Sequence, residues 1–272
     1  MENTFAYTIF GAVAGDIIGS VYERFNIHTT DFQLISPFCH FTDDTVMTMA
    51  IAEWLLNEPQ TSEHLVASMQ KWGLRYPHAG YGRNFKRWLQ SPNPQPYESW
   101  GNGSAMRVSP VGWYAQSLEQ ALQLAELTAE VSHNHPEGIK GAQAIAAAIF
   151  WAREGKTKTE IKQLIQALFH YNLERTLDEI RPSYHFDVSC QGSVPEAIIA
   201  YLEGNSFEEV IRLAISLGGD SDTIGAMAGS IAACTYPIPK HIYEKLLPLL
   251  TEDIKETLHH FNQLIAKRNT TL

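Results

Sequence analysis

Cysteine is scarce in this sequence. Among 272 residues there are three cysteines, widely spaced at Cys39, Cys190 and Cys234. An odd number of dispersed cysteines encodes neither a disulfide framework nor a Cys-x-x-Cys metal site. We therefore expect a protein of the reducing cytoplasm.

Blocks of basic residues and membrane-length apolar runs are missing as well. Lys and Arg number 20 against 30 Asp and Glu, which gives a formal net charge of -10. This balance predicts no basic face that could bind a nucleic-acid backbone. The apolar stretch near the N-terminus has no basic region before it and is interrupted by Asp16, so it predicts neither a signal peptide nor a membrane span.

Alternating strand patterns are almost absent, and residues 184–190 are the one strand candidate. Helical spacing recurs instead. Capping residues stand three positions before Glu or Gln at Ser117, Thr157 and Ser206, and a further amphipathic pattern lies near the C-terminus. With 44% hydrophobic and 18% charged residues, these patterns predict an all-α globular domain.

Residues 75–103 are predicted to form one long irregular stretch, rich in Gly, Pro and aromatic residues. Its Trp and Tyr content indicates that the stretch forms a wall or lid that covers a binding site. A surface loop without a binding role is the alternative.

Two acidic clusters stand at the starts of helical patterns. The first comprises Thr42, Asp43 and Asp44, and the second comprises Asp220, Asp222 and Thr223. Helix capping would explain either cluster alone, because Asp and Thr suit the positive end of a helix. Four carboxylates brought together would repel one another unless cations neutralised them. The two clusters therefore predict two divalent cations, Mg²⁺ or Mn²⁺ rather than Zn²⁺, since the donors are oxygen.

Known acidic motifs do not explain these clusters. An EF-hand loop starting at Asp220 would need an oxygen ligand at its fifth position and Glu at its twelfth, where Ile224 and Ile231 stand. A phosphatase-type Asp-x-Asp-x-Thr would need Thr at Ile224. A prenyl-diphosphate site would need Asp in place of Met47.

Glycine recurs every fourth residue in the first helical pattern, at Gly11, Gly15 and Gly19, and Glu23 continues the stripe. Three interior glycines cost roughly 1 kcal/mol each relative to alanine, so close packing must justify them. The small residues after the second acidic cluster are the candidate partner surface. We expect Glu23 to lie beside the acidic clusters; a solvated glutamate at a helix end is the alternative.

Two further segments are candidates for ligand binding. The turn at residues 101–104 could direct N–H groups toward a phosphate, although such sequences also form plain turns. His133 and His135 precede a helical pattern, and their spacing of two fits a metal pair on a helix poorly.

Taken in order, six segments resemble the ADP-ribosylglycohydrolase family: GAVAGDIIGSVYE, FTDDT, GNGSAMRVSPVG, SHNHPEGIKGA, VPEAI and LGGDSDTIGAMAG. The resemblance implies a compact single-domain orthogonal helical array over residues 1–272 with a central binuclear metal site. It also implies a hydrolase with two Mg²⁺ or Mn²⁺ that cleaves the N- or O-glycosidic bond between ADP-ribose and an acceptor. One departure, at Thr235 and Pro237, concerns local packing.

The resemblance also implies roles for particular residues. The implied metal ligands are Thr42, Asp43, Asp44, Asp220, Asp222 and Thr223. The implied lining of the ADP-ribose groove is Asn102, Gly103, Ser104, His133 and His135. Asp222 is expected to bridge the metals from an extended turn shared with Asp220, while Thr223 begins the helix. Glu23 and Asp222 are the expected catalytic residues.

Several alternatives stay open at this point. Either Glu23 or a metal could activate the attacking water. The substrate could be an ADP-ribosylated protein or a small ADP-ribosyl molecule. A non-catalytic ADP-ribose-binding or structural relative and a metal-dependent phosphohydrolase are the competing functions.

Overall fold

The computed structural model describes residues 8–269. These residues form fifteen α-helices, one short 3-10 helix and no β-strand, which confirms the all-α prediction. The helices are α1 Phe10–Gly19, α2 Asp43–Leu56, α3 Ser62–Arg75, α4 Arg83–Gln90, α5 Gly103–Met106, α6 Ser109–Tyr114, α7 Leu118–Glu130, α8 Pro136–Arg153, α9 Lys158–Phe169, α10 Leu177–Ile180, α11 Cys190–Glu203, α12 Phe207–Ile215, α13 Ser221–Thr235, α14 Lys240–Leu246 and α15 Glu252–Asn269. Within residues 8–269, no helix combines the length and the apolar character needed to cross a membrane.

Capping side chains begin the predicted helices. At α9, the hydroxyl of Thr157 accepts the Glu160 N–H and the Glu160 carboxylate accepts the Thr157 N–H, which is a complete capping box. At α12, the Ser206 hydroxyl accepts the Glu209 N–H. The Glu209 carboxylate accepts the N–H of Asn205 rather than that of Ser206, so this capping box is incomplete. Local sequence therefore decides where these helices start.

The centre of the fold is the contact between α1 and α13. Every residue of α1 is buried, and its glycines face the backbone of α13. A methyl group at Gly15 would overlap the carbonyl of Gly225, and one at Gly11 would overlap that of Gly229. The two small-residue surfaces predicted from sequence thus pack directly together, and α8, α11 and α12 pack around α13.

The predicted strand at residues 184–190 is wrong. Ser189 has an extended backbone and forms a β-bridge with Gly101, but this is the only β-bridge among the described residues. The Val188 carbonyl accepts the Asn102 N–H, and the Trp100 carbonyl accepts the Cys190 N–H. Helix α5 begins two residues after Gly101, and α11 begins directly after Ser189, so no ladder can extend from this bridge.

The prediction of one irregular stretch over residues 75–103 is also wrong in part, because it contains α4. Phe85, Trp88 and Leu89 stand three and four residues apart and are buried on the inner face of this helix. Trp88 and Leu89 therefore belong to the core, and the sequence interpretation assigned Trp88 to ligand binding in error, whereas Phe85 also lines the cavity described below.

Candidate functional site

A cavity of about 950 Å³ opens where the N-termini of α2 and α13 meet the C-terminal end of α1. Its walls come mainly from segments 20–25, 38–44, 78–85, 97–107, 186–188 and 220–223, together with His133. Twelve of the 29 residues in segment 75–103 thus contribute to the wall, which agrees with the expectation that this region borders a site. The volume lies at the upper end of the range for small-molecule sites, roughly 300–1,000 Å³.

Carboxylates form two triads at this cavity. Asp16, Asp44 and Asp222 make the first triad, and Glu23, Asp220 and Asp222 make the second. Within each triad, one carboxylate oxygen from each residue lies within 4.8 Å of the others. Asp222 belongs to both triads, so its carboxylate lies between the two groups.

The first acidic cluster is held at the start of α2. Thr42 is the N-cap, and its hydroxyl accepts the Asp44 N–H at 3.3 Å. Asp44 is buried and joins a triad, whereas Asp43 is half-buried and lines the cavity beside Gly80 without joining either triad. The helix start therefore turns the two adjacent carboxylates in different directions.

The second acidic cluster lies at the start of α13. Gly218 and Gly219 have φ angles of 76° and 68°, a left-handed conformation that glycine adopts without strain and that turns the chain out of α12. Asp220 occupies the N-cap position and the helix begins at Ser221. The predictions that Asp220 and Asp222 share an extended turn and that Thr223 begins the helix are therefore wrong, because Asp222 and Thr223 already lie in the first helical turn.

Asp16 is a site residue that sequence reasoning missed. It is fully buried in α1 and accepts the Thr42 N–H at 2.9 Å, the Thr42 hydroxyl at 2.7 Å and the Thr45 N–H at 3.1 Å. Asp16 therefore orients the first turn of α2. The available signal was a charged residue inside an apolar, glycine-striped helix, which the sequence interpretation treated only as an interruption.

Glu23 belongs to the second triad, but it is not on a helix. Helix α1 ends at Gly19, and Glu23 lies in the following turn, with its N–H donating to the Gly19 carbonyl at 3.2 Å. The predicted continuation of the glycine stripe along the helix is wrong, because regular helix ends at Gly19 and residues 20–24 form a turn. The side chain is half-buried, and burial followed by the charge of Asp220 raises its pKa.

The carboxylates of the two triads fit a cation site. Burial, followed by the charges of neighbouring carboxylates, raises the pKa of Asp44 and of Asp222 well above the usual value, and the same causes raise the pKa of Asp43 to about 8. The Asp44 Oδ1 atom is buried without a hydrogen-bond partner among the described residues. Such a donor set, all oxygen and mutually repelling, suits Mg²⁺ or Mn²⁺.

Of the predicted groove residues, Asn102, Gly103 and His133 line the cavity. The Asn102 amide donates to Asp220 Oδ2 at 2.7 Å and so fixes this carboxylate. Gly103 lies against His133, where a methyl group would be 2.9 Å from Nε2. These three residues form one wall beside the second triad.

Ser104 and His135 are not brought into the cavity lining, contrary to the prediction. Ser104 is fully buried in α5, and its hydroxyl donates to the Gly138 carbonyl at 2.7 Å. His135 is the N-cap of α8, where Nδ1 accepts the Glu137 N–H at 3.1 Å. Both side chains are committed to packing and capping because they lie at helix starts.

The inner wall of the cavity combines a buried histidine with a buried arginine. His133 hydrogen-bonds through Nδ1 to the Ser132 hydroxyl at 2.8 Å, and burial, with a contribution from Arg107, holds its pKa well below the usual value. Arg107 is fully buried, donates to the Thr128 carbonyl at 2.6 Å, and has its pKa lowered to about 10 by burial. Phe85 lies against the Arg107 guanidinium. Sequence reasoning missed Arg107, whose signal was its place directly after the GNGSAM turn.

Comparison with known proteins gives a consistent result. The family described as ADP-ribosylglycohydrolase matches residues 2–271. The chain is 26% identical over 306 residues to the human ADP-ribosylhydrolase ARH3, with 83% of each chain covered. It is 24% identical over 259 residues to the ADP-ribosylarginine hydrolase Tri1 of Pseudomonas putida, covering 85% of this chain and 70% of the relative. A solved structure described as an ADP-ribosylglycohydrolase-related protein complex shares the fold, with a TM-score of 0.75, 24% identity and 96% coverage of both chains.

Proposed function

Because the chain belongs to the ADP-ribosylglycohydrolase family, we propose that it hydrolyses the N- or O-glycosidic bond between ADP-ribose and an acceptor. The observation that carries this proposal is the pair of carboxylate triads that share Asp222. All of their members except the fully buried Asp16 line one large cavity. The proposed substrate is an ADP-ribosylated protein or a small ADP-ribosyl molecule. A cytoplasmic location is part of the proposal, because the three cysteines have no disulfide partner.

The proposal includes two divalent ions, Mg²⁺ or Mn²⁺. The residues that would hold them are Thr42, Asp43, Asp44, Asp220, Asp222 and Thr223. When bound, these ions supply positive charge that orients the hydroxyls of the distal ribose. Asp16 supports the site by holding the Thr42 and Thr45 N–H groups, which keeps the start of α2 in place.

Glu23 is the residue that we propose for proton transfer. Its carboxylate reaches the triad with Asp220 and Asp222 from a separate turn, so it can accept a proton from the attacking water. Asn102 keeps the Asp220 carboxylate oriented through its 2.7 Å hydrogen bond. Gly103 and His133 line the wall against which the ADP-ribose would rest.

Product analysis tests this function. The protein with Mg²⁺ or Mn²⁺ would be incubated with a panel of ADP-ribosyl substrates linked through arginine, serine, a nucleic-acid end or a small molecule. We expect free ADP-ribose as the product. AMP with ribose phosphate would show a phosphohydrolase instead, and ligand binding without any product would show a non-catalytic binding protein.

A further inference from the structure

Several exposed apolar side chains line the cavity. Eight large hydrophobic side chains in the described part of the chain are strongly exposed, and half of them line this one cavity. They are Phe25, Phe38, Phe186 and Val188, exposed by 74%, 78%, 50% and 51%. We call these four side chains the apolar mouth. Exposed apolar groups gathered at one place mark a surface that binds something.

The apolar mouth lies at the carboxylate end of the cavity. Phe25 follows Glu23 by two residues, and Phe38 lies on the segment that leads into Thr42. On the opposite side, the Val188 carbonyl accepts the Asn102 N–H at 2.8 Å, and Asn102 in turn holds Asp220. The four side chains therefore lie on segments that carry, adjoin or contact the residues of the carboxylate site.

The wall that continues from Asn102 and Gly103 has a different character. Phe85, Arg107 and His133 are buried in it, and Tyr97 is half-buried with its ring against His133. An enclosed wall of this kind suits the ADP portion of the substrate, since small ligands bury most of their surface in a site. The acceptor must then extend from the carboxylates toward the open side, where the apolar mouth lies.

We propose that the apolar mouth binds aromatic or aliphatic side chains next to the modified residue of a protein acceptor. This inference rests on the proposed function. Side chains exposed by half or more cannot enclose a small leaving group, but they can be covered by a macromolecule laid across the opening. Arg24 lines the same cavity as Glu23 and Asp43, so charge there does not decide which flanking residues are favoured. The favoured acceptor is therefore a protein segment that is apolar beside its modified residue.

Two synthetic peptides test this inference. Both carry ADP-ribose on one residue, through the linkage that the panel assay identifies; one has Phe and Leu beside that residue, and the other has Ser and Gly. We expect kcat/KM for ADP-ribose release to be about tenfold higher or more for the apolar peptide, mainly through KM. The double variant Phe38→Ser with Phe186→Ser should bring this ratio close to one. Leu168→Ser, an equally apolar exposed position on α9 outside the cavity lining, should keep the ratio of the wild type.

Other results would overturn the inference. Equal rates on the two peptides, or a preference that survives in the double variant, would show that the apolar mouth does not contact the acceptor. Faster release from a small ADP-ribosyl molecule than from either peptide would assign the mouth to small acceptors. A dimer in solution that the double variant dissociates would make the mouth an interface between copies. Absence of ADP-ribose from every substrate would instead overturn the proposed function, and the inference with it.

Discussion

Gly19 of α1 lies directly against the backbone of Asp222, so that a methyl group at position 19 would be 2.5 Å from the Asp222 Cα atom. The glycine thereby allows the end of α1 to approach the residue shared by both carboxylate triads. The glycine spacing in α1 that permits close helix packing therefore also brings the end of α1 to the carboxylate site.

Gly19→Ala should destabilise the protein, because the added methyl group meets α13 backbone rather than a movable side chain. We expect a loss of about 1–3 kcal/mol in the free energy of unfolding, measured by urea denaturation. Gly82→Ala is the control, since nothing lies within 4 Å of a methyl group there. An unchanged midpoint for Gly19→Ala would contradict the close approach of the two helices.

Asp222→Asn should reduce divalent-metal binding, because it removes the carboxylate common to both triads. At a metal concentration about 100-fold above the dissociation constant, the wild type should gain about 2.7 kcal/mol of stability, and the variant should lose most of this gain. Without metal, the variant should be at least as stable as the wild type, since carboxylate repulsion is relieved. Thermal unfolding with and without Mg²⁺ or Mn²⁺, together with metal analysis, measures both effects.

Asp178→Asn is the matched control for Asp222→Asn, because its side chain is 92% exposed on α10. Its response to metal should equal that of the wild type. If Asp222→Asn keeps the full metal content and the full stabilisation, Asp222 serves only the start of α13. Zinc retained tightly with full activity would argue against the preference for Mg²⁺ or Mn²⁺.

Glu23→Gln should lower kcat by about 10²- to 10⁴-fold while the affinity for ADP-ribose persists, because the amide keeps the shape but cannot accept a proton. Single-turnover kinetics and calorimetry with ADP-ribose separate these two quantities. Glu174→Gln, an exposed change outside the cavity lining, is the control. A near wild-type rate would make Glu23 a positioning residue, and loss of metal from Glu23→Gln would make it a ligand.

ADP-ribose should protect the segment from Arg75 to Gly103 against trypsin, because residues 78–85 and 97–103 border the cavity. Cleavage at the exposed residues Arg83, Lys86 and Arg87 should slow at saturating ligand, while cleavage at Lys240, far from the cavity lining, should not. Mass spectrometry of the fragments follows each site. Equal rates at Arg83 with and without ligand would count against a covering role for this segment.

Stability should fall as the pH drops below about 6.5, in part because of His133. The folded protein keeps this buried imidazole neutral, with its pKa held well below the usual value, whereas the unfolded chain protonates it near its ordinary pKa. The unfolded state therefore binds more protons below that pH, at a cost of up to about 1.4 kcal/mol per pH unit. His133→Gln should flatten the dependence between pH 5 and 7 in denaturation experiments. Identical slopes for both proteins would show that the pKa of His133 does not change on folding, which contradicts the prediction.

Local patterns predicted much of the fold and part of the candidate site. The cap at Thr157, the helix starts beside Asp43 and Asp220, and the glycine surface of α1 all follow from residues within one helical turn of each other. Capping and periodicity depend on neighbours in sequence, so they can be identified without knowledge of the rest of the chain.

The sequence by itself determined that this protein is all-helical, that two acidic clusters lie at helix starts and that a glycine stripe requires close helix packing. Only the tertiary structure decided that Asp16 joins Asp44 and Asp222, and that Ser104 and His135 turn away from the cavity. The bond from Asn102 to Asp220 shows the physical reason, because it joins residues 118 positions apart. Such contacts depend on how whole helices pack against one another, and the residues near either partner carry no pattern that specifies them.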